Sequence, residues 1–247
     1  MPLKQQPNTG HTLGRAITRR KVVAMASLAL FAAPRISLAT DPAATELLKK
    51  ASARLAEDDT MHFTLEIDGD TWIEESHSIQ LKSAKGDLAR PDKVSVEFKV
   101  TLLGAGTVTI KMITIGDTSW TTDLITGRWG EAPPEFGYNP AVLYDNQNGL
   151  GPVAGKLSDT SVEGSEKIDD HECDHVAGYA AQDVINPLTA GTMGGDRVKV
   201  ELWLDKETSD MRRVKLTEPN NVDNDHPATW TLNLTKFNEK VTIEDPS

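Results

Sequence analysis

Apolar residues recur at helical spacing just after residue 40. Asp41 and Pro42 form a typical helix start, because an aspartate side chain caps free backbone N–H groups and proline fits the first helical position. Five apolar residues then repeat every three or four positions, which is the period of one helix face. The spacing predicts an amphipathic helix over residues 42–57 whose buried face carries Ala44, Leu47, Leu48, Ala51 and Leu55.

The apolar period changes to two at residue 61. Apolar and polar residues alternate in segments 61–67, 79–81, 94–100 and 108–112, and such alternation places each set of side chains on its own face of a strand. Residues 104–106, with two glycines, separate the last two segments. These two segments are therefore predicted to form a β-hairpin.

A second block of alternating residues lies near the C-terminus, in segments 198–204, 214–216 and 230–234. Antiparallel strands often bury one face and leave the other in water, whereas the strands of parallel sheets are apolar on both faces. The two blocks together predict about nine to eleven antiparallel strands. The predicted fold class is α+β, with one curved antiparallel sheet and a few helices.

Short helical segments separate the two strand blocks. Asn139-Pro140 starts a segment that carries Val142 and Leu143, and a further segment, either helical or a loop, runs near residues 181–189. Together with the first helix, these segments must cover the apolar face of the sheet, and they are too few to cover it fully. We therefore expect an apolar hollow that suits a hydrocarbon ligand. The alternative is a dry core in which the same residues pack together.

Residues 1–39 differ from the rest of the chain in charge. They contain six basic residues and no acidic one, and the basic residues 19–21 precede an apolar run over 22–33. This order is typical of a cleaved export signal, because a membrane span needs about 20 apolar residues. We predict that residues 1–39 are an export signal peptide that is removed and that residues 40–247 form the exported domain. The predicted location is the periplasm, the cell envelope or the extracellular space.

Charge and cysteine content exclude several classes of protein. The chain has 37 Asp and Glu against 26 Lys and Arg, a net charge of -11, which does not suit a partner rich in phosphate. Its single cysteine, Cys173, excludes an internal disulfide framework and multi-cysteine metal sites. We expect no nucleic-acid partner and no cofactor.

One polar segment resembles a metal site. On a single strand His171, Cys173 and His175 share a face, and imidazole and thiolate are ligands for zinc or copper. Neighbouring side chains on a straight strand diverge, however, so the favoured interpretation is a hairpin turn at residues 169–170 followed by a strand with both histidines in solvent. We therefore predict no metal site.

Catalytic motifs are sparse in this sequence. The pair Glu74-Glu75 offers an acid and a base for glycoside hydrolysis, but a solvated turn is the favoured interpretation. The sequence contains neither the nucleophile motif Gly-x-Ser-x-Gly nor the zinc motif His-Glu-x-x-His. We therefore predict that the protein is not an enzyme.

Several stretches resemble the LppX/LprA/LprF/LprG lipoprotein family, and their order along the chain is similar over nearly all of residues 42–246. They are residues 47–52, 117–120, 127–129, 139–150 and 232–243. The resemblance implies a half-barrel like that of the periplasmic carrier LolA, whose cavity holds acyl chains of lipids or glycolipids moving between membranes. The chain lacks the family's lipobox cysteine after the leader, which favours a soluble carrier.

The resemblance also bears on partners. It implies a lipid or glycolipid ligand and no catalysis, and we expect a monomer. An alternative in the same architecture is an envelope sensor similar to RseB, which binds a membrane protein partner. Trp203, on an otherwise polar strand face, suggests an interaction surface of that kind.

The residues expected to line the cavity come from the N-terminal strands and the middle helices. The glycine-rich stretch 149–152 suggests that these helices move as a lid, with an ordinary loop as the alternative. The cavity candidates are Phe63, Leu65, Ile79, Leu81, Val94, Val96, Phe98, Val100, Val108, Ile110, Met112, Trp120, Val142, Leu143, Leu150, Val153 and Leu157.

Overall fold

The computed structural model describes residues 40–73, 76–132, 140–220 and 226–246. The predicted export signal at 1–39 lies outside these residues, as do Glu74 and Glu75. The helices are α1 (Pro42–Glu57), a 3₁₀ helix (Pro140–Tyr144), α2 (Leu150–Ala154) and α3 (Gln182–Thr189). Within the described ranges, none of the helices has the length and apolar character needed to cross a membrane.

Eleven strands account for most of the remaining chain. They are β1 (Thr60–Asp68), β2 (Ile79–Ala89), β3 (Lys93–Leu102), β4 (Gly106–Ile115), β5 (Thr118–Thr122), β6 (Trp129–Glu131), β7 (Ser158–Ile168), β8 (His171–Ala181), β9 (Arg197–Asp205), β10 (Met211–Thr217) and β11 (Thr229–Thr235). The predicted hairpin is confirmed as β3 and β4.

All eleven strands form one open antiparallel sheet in the order β6-β5-β4-β3-β2-β1-β11-β10-β9-β8-β7. The first and last strands of the chain, β1 and β11, pair in the middle of the sheet and join the two sequence blocks. Because β6 and β7 remain as edges, the sheet is a half-barrel and not a closed barrel. The predicted fold class and strand number are confirmed.

Helix α1 forms where the sequence predicts it. The Asp41 side chain accepts a hydrogen bond of 2.8 Å from the Ala43 amide and caps the helix. Its buried face carries Ala44, Leu48, Ala51 and Leu55. The Asp41 amide donates to the Thr160 carbonyl at 2.8 Å, which fastens the start of α1 to edge strand β7.

Strand register gathers apolar side chains into rows that cross the sheet. Leu65 on β1 pairs with Ala84 on β2 and with Leu232 on β11. The row extends to Phe98 on β3 and to Val214 on β10. These residues face the helices, and the row crosses the centre of the sheet beneath them.

Candidate functional site

An apolar cavity lies between the sheet and the helices. Its floor comes from strands β1, β2, β3, β10 and β11, and its roof comes from one leucine each of the 3₁₀ helix, α2 and α3. We call these three helical segments the cover. The lining residues are Phe63, Leu65, Ala84, Phe98, Val214, Leu216, Trp230 and Leu232 on the sheet, with Leu143, Leu150 and Leu188 on the cover.

The chemistry of this cavity is that of a hydrocarbon. All the lining side chains are apolar, apart from the indole N–H of Trp230. That N–H donates to the Thr71 hydroxyl at 3.0 Å, so its hydrogen bond is satisfied within the protein. A cavity of this kind favours apolar ligands, because a polar group placed there would lose its hydrogen bonds to water.

The cavity is narrower than the hollow expected from the sequence. Its volume is about 50 Å³, whereas a cavity of about 150 Å³ is known to hold one benzene molecule. The three cover leucines account for the difference, because each is buried against the sheet side chains. An acyl chain of a membrane lipid is larger than this cavity.

Five of the candidates line the cavity: Phe63, Leu65, Phe98, Leu143 and Leu150. The others lie outside its lining. Seven are buried elsewhere in the same apolar core: Leu81, Val94, Val96, Val100, Ile110, Met112 and Val153. Five are partly exposed: Ile79, Val108, Trp120, Val142 and Leu157.

Six lining residues were not among the candidates. They are Ala84, Leu188, Val214, Leu216, Trp230 and Leu232. Four of them belong to the C-terminal strands, whose alternation was visible in the sequence. The missing information was the pairing of β1 with β11, which brings residues such as Leu65 and Leu232 together across 167 positions of chain.

One arginine fastens the cover and α1 to the sheet. The Arg90 guanidinium, after β2, donates to three backbone carbonyls: Asp58 at 2.8 Å, Leu55 at 3.0 Å and Tyr144 at 3.1 Å. It also lies 4.6 Å from the centre of the Tyr144 ring. Arg90 therefore holds the end of α1 and the end of the 3₁₀ helix at one place.

A series of ion pairs lies at the same end of the sheet as Arg90. We call this end of the sheet the clamped end. Arg54 contacts Asp58 and Asp210 at 2.9 Å each. Arg212 then joins Asp210, at 3.2 Å, to Asp205, at 3.0 Å. The series ends where His171 approaches Asp205, with a nitrogen-to-oxygen distance of 2.8 Å.

The aspartates of the clamped end differ in pKa. Burial raises the pKa of Asp58, and hydrogen bonds from Asn238 and the nearby Arg54 only partly oppose this effect. Asp58 also has one buried oxygen without a hydrogen-bond partner. Burial also tends to raise the pKa of Asp205, but the amides of Glu207 and Thr208 and the Arg212 guanidinium outweigh it, so the pKa is lowered.

Two glycines of the predicted lid lie in close packing contacts, and space requires glycine at Gly149. A Cβ on Gly149 would lie 2.5 Å from the Asp145 carbonyl oxygen, although the backbone there has an ordinary φ of -76°. A Cβ on Gly151 would lie 3.0 Å from the Ser52 hydroxyl oxygen, where α2 packs on α1. These glycines allow close packing, and their conformations do not require glycine flexibility.

The histidine and cysteine segment lies on the sheet face opposite the cover. The turn at Asp169 and Asp170 is present, but β8 begins at His171 and Cys173 is fully buried. His175 does not lie free in solvent, because its ring stacks on Trp203 at 4.4 Å. Across the part of the chain that the structure describes, no group of three or more His, Cys, Asp or Glu side chains is placed to hold a metal ion.

The interpretation of Trp203 as an exposed interaction residue is wrong. Only 6% of Trp203 is exposed, and its indole N–H donates to Glu166 at 2.7 Å. Together with Ile168 and Cys173 it forms a small second core. Cross-strand neighbours bury the ring, an arrangement that the alternation of a single strand does not reveal.

Known proteins share this architecture. The chain is 22% identical to the lipoarabinomannan carrier protein LprG of Mycobacterium tuberculosis over 207 residues, which cover 83% of each protein. The crystal structure of LprF from Mycobacterium bovis matches 85% of this chain and 99% of that one, with a TM-score of 0.68 and 18% identity.

A second solved structure, of the Mycobacterium tuberculosis lipoprotein LppX, matches 83% of this chain and all of its own, with a TM-score of 0.58 and 14% identity. At these identities the two structures support the fold alone. The family assignment comes from the sequence, because residues 43–243 match one family along almost the whole described domain. The chain belongs to the LppX_LprAFG lipoprotein family.

Proposed function

We propose that the protein binds acyl chains of a lipid or glycolipid in the cavity beneath its cover and carries them between membranes of the cell envelope. The observation that carries this proposal is the apolar lining of the cavity, formed by eleven side chains from five strands and three helical segments. Membership of the LppX_LprAFG family and the similarity to LprG, named a lipoarabinomannan carrier, support the same role. The proposed role involves no bond-making or bond-breaking.

The energetics suit a carrier whose cavity opens on binding. Each methylene moved out of water contributes about 0.8 kcal/mol, so a chain of sixteen carbons gains about 13 kcal/mol before the costs of association. The cover leucines can repack against the bound chain, which preserves most of their own burial. The free energy gained by burying the acyl chain is therefore enough to offset the cost of a moderate displacement of the cover.

The contacts that anchor each helix indicate which helices move when the cavity opens. Helix α1 is held at its start by the Thr160 carbonyl and near its end by Asp210. Among the residues that the structure describes, no hydrogen bond ties α2 to a strand, and α2 meets α1 through the close contact of Gly151 with Ser52. We therefore place the movement in the cover, with α1 and the sheet as the fixed frame.

The proposed location follows from the leader. An export signal at residues 1–39 would deliver the domain at 40–247 to the periplasm, cell envelope or extracellular space, where lipids cross water between membranes. Intact mass measured on protein from its own cells tests this part, because a chain that retains its first 39 residues contradicts it.

Lipid binding is tested by filling the cavity. Ala84 is buried and lines the cavity, so Ala84→Leu places extra carbon atoms where the acyl chain should lie. We expect wild-type protein to bind a fluorescent sixteen-carbon fatty acid and Ala84→Leu to bind it at least tenfold more weakly. The matched control, Ala53→Leu on the exposed face of α1, should bind like wild type.

Native mass spectrometry of protein purified from its own envelope identifies the ligand. A co-purified lipid supports the proposal. Protein that carries no lipid, does not bind the fatty acid and remains bound to a membrane protein contradicts it and favours the sensor alternative.

A further inference from the structure

Large apolar side chains are exposed at the tips of three hairpins. Ile125 is 94% exposed and Leu124 is 45% exposed in the turn between β5 and β6. Leu103 is 78% exposed in the turn between β3 and β4, and Ile73 is 42% exposed in the loop between β1 and β2. We call these four residues the hairpin rim.

The rim residues lie at one end of the sheet. Three successive hairpins turn there, because β1, β3 and β5 all run in the same direction. The Leu103 amide donates to the Ser78 carbonyl at 2.9 Å, which ties the β3–β4 tip to the loop between β1 and β2, and the Ile73 amide donates to the Ile79 carbonyl at 3.0 Å within that loop. The clamped end, with Arg90 after β2, is the opposite end.

The Leu103 tip of the hairpin rim carries no charge, although the chain as a whole is acidic, whereas Ile73 is followed directly in the sequence by Glu74 and Glu75. Residues 101–107 contain no ionisable side chain, in a protein of net charge -11. In the other turn, Asp123 accepts hydrogen bonds from the Ile125 amide at 3.1 Å and the Thr126 amide at 2.7 Å. These bonds lower the pKa of Asp123 and place its charge at the base of the turn, below the exposed tip.

An apolar path connects the rim to the cavity. Leu102, Val108 and Ile79 are only partly buried and pack against the apolar core beside the tips. Farther along the same sheet face, Phe98 and Leu65 are partly buried and line the cavity itself. A hydrocarbon chain that moves from the rim to the cavity therefore stays beside apolar side chains.

We propose that the hairpin rim inserts into the surface of a bilayer of electrically neutral lipids, and that acyl chains enter and leave the cavity at this edge. This inference rests on the proposed carrier function and names the surface where exchange occurs. The exposed side chains of Leu103, Leu124 and Ile125 gain free energy in the bilayer interface, and the acidic residues of the chain, including Glu74 and Glu75 beside Ile73, disfavour anionic membranes. The charge of Asp123 limits insertion to the tip residues.

Vesicle flotation tests the rim directly, with protein in the form that its own cells export. We expect wild-type protein to float with phosphatidylcholine vesicles and the double variant Leu103→Ser, Ile125→Ser to bind at least tenfold more weakly. The control Thr118→Asp, exposed at the opposite end of the sheet, should bind like wild type. Adding phosphatidylglycerol to the vesicles should weaken binding.

Site-specific labelling locates the inserted surface. Cys173 is fully buried, so an environment-sensitive dye reacts selectively with an added exposed cysteine. Dye on Leu103→Cys or Ile125→Cys should shift its emission to the blue when phosphatidylcholine vesicles are added. Dye on Thr118→Cys should not shift.

The outcomes separate this inference from the carrier function. Equal vesicle binding by wild type and the double Ser variant overturns the inference, as does binding that requires phosphatidylglycerol. A wild-type dimer that the double Ser variant converts to a monomer also overturns it, since a second copy then covers the rim. In each case the carrier function stands if wild type and the double Ser variant both bind the fluorescent fatty acid in the absence of vesicles. It fails if wild-type protein does not bind the fatty acid.

Discussion

The two ends of the sheet differ sharply in chemistry. At the clamped end, five charged side chains (Arg54, Asp58, Asp205, Asp210 and Arg212) form a continuous series of ion pairs that His171 extends at Asp205, and Arg90 ties α1 and the 3₁₀ helix to the sheet. At the opposite end, the hairpin rim exposes four large apolar side chains, and its turn at residues 101–107 carries no charge. The two ends therefore suit different tasks, because directional bonds fix a geometry whereas apolar surface favours lipid contact.

This difference explains how a narrow cavity can belong to a carrier. Within the cover, the end of the 3₁₀ helix is fixed at the clamped end by Arg90, whereas α3 is tied at the other end of the sheet, where the Gln182 amide donates to the Asp196 carbonyl at 3.3 Å. A helix held at one end can swing at the other, so we expect movement of the cover to widen the cavity while the clamped end keeps its structure. The predictions below test each end in turn.

The largest effect is expected at the clamped end. Arg54→Met leaves Asp58 and Asp210 buried without their shared cation, and we expect the free energy of unfolding to fall by about 3 kcal/mol at pH 7. Without Arg54 the folded-state pKa of Asp58, already raised by burial, rises further, so the loss should be fully present at pH 7 and smaller at pH 4. Urea unfolding at both pH values measures it, and Lys50→Met on exposed α1 is the control.

A smaller decrease in the free energy of unfolding, with a different dependence on pH, is expected for Asp205→Asn. This variant keeps the shape of the side chain and removes the negative charge that Arg212 contacts. We expect the free energy of unfolding to fall by about 1.5 kcal/mol at pH 7. Because the folded-state pKa of Asp205 is lowered, its stabilisation is present above the pKa of an unfolded aspartate and is lost as pH falls through the folded value. The difference between the variant and wild type should therefore begin to shrink below about pH 4 and disappear below the folded-state pKa of Asp205, and a constant difference down to pH 2 would contradict this account.

Locking the cover to α1 should slow lipid uptake about tenfold, a barrier increase of about 1.4 kcal/mol. The pair Ser52→Cys, Gly151→Cys places two sulfur atoms where α2 packs on α1, since a Cβ at Gly151 would lie 3.7 Å from the Ser52 Cα. Stopped-flow uptake of the fluorescent fatty acid compares the oxidised and reduced forms of this one variant. Equal rates in the two forms, with the disulfide verified by mass, would show that α2 does not need to leave α1.

The smallest effect on folding is expected at the hairpin rim. Leu103→Ser should change the free energy of unfolding by less than about 0.5 kcal/mol, because the side chain is mostly in water already. Leu88→Ser, at a fully buried position on β2, is the contrasting variant and should be strongly destabilised. A rim variant as unstable as Leu88→Ser would mean that the rim has a packing role.

The fold could be predicted well from the sequence, because local patterns determine each of its elements. Asp41 and Pro42 mark the start of α1, and alternation identifies strands such as β3 and β9. The resemblance to the LppX/LprA/LprF/LprG family is confirmed by the match over residues 43–243. Antiparallel pairing followed from the polar residues that alternate with apolar ones on each strand.

The candidate site could be predicted only in part, because it depends on long-range pairing. Leu65 and Phe98 were found, since the N-terminal strands carry an obvious apolar face. Leu232 and Val214 were missed, because nothing local shows that β11 lies beside β1. Trp203 was expected to be exposed for the same reason, since the residues that bury its ring, Glu166 and His175, lie on neighbouring strands.

The unclosed sheet leaves two strands with unpaired backbone groups, and such edges invite aggregation with other chains. Strand β6 offers little to a foreign strand because it is three residues long. Strand β7 is longer, but its register is interrupted twice and its exposed portion carries Glu163, Glu166 and Lys167. These features let a half-barrel stay open in a crowded compartment without acting as a template for fibrils.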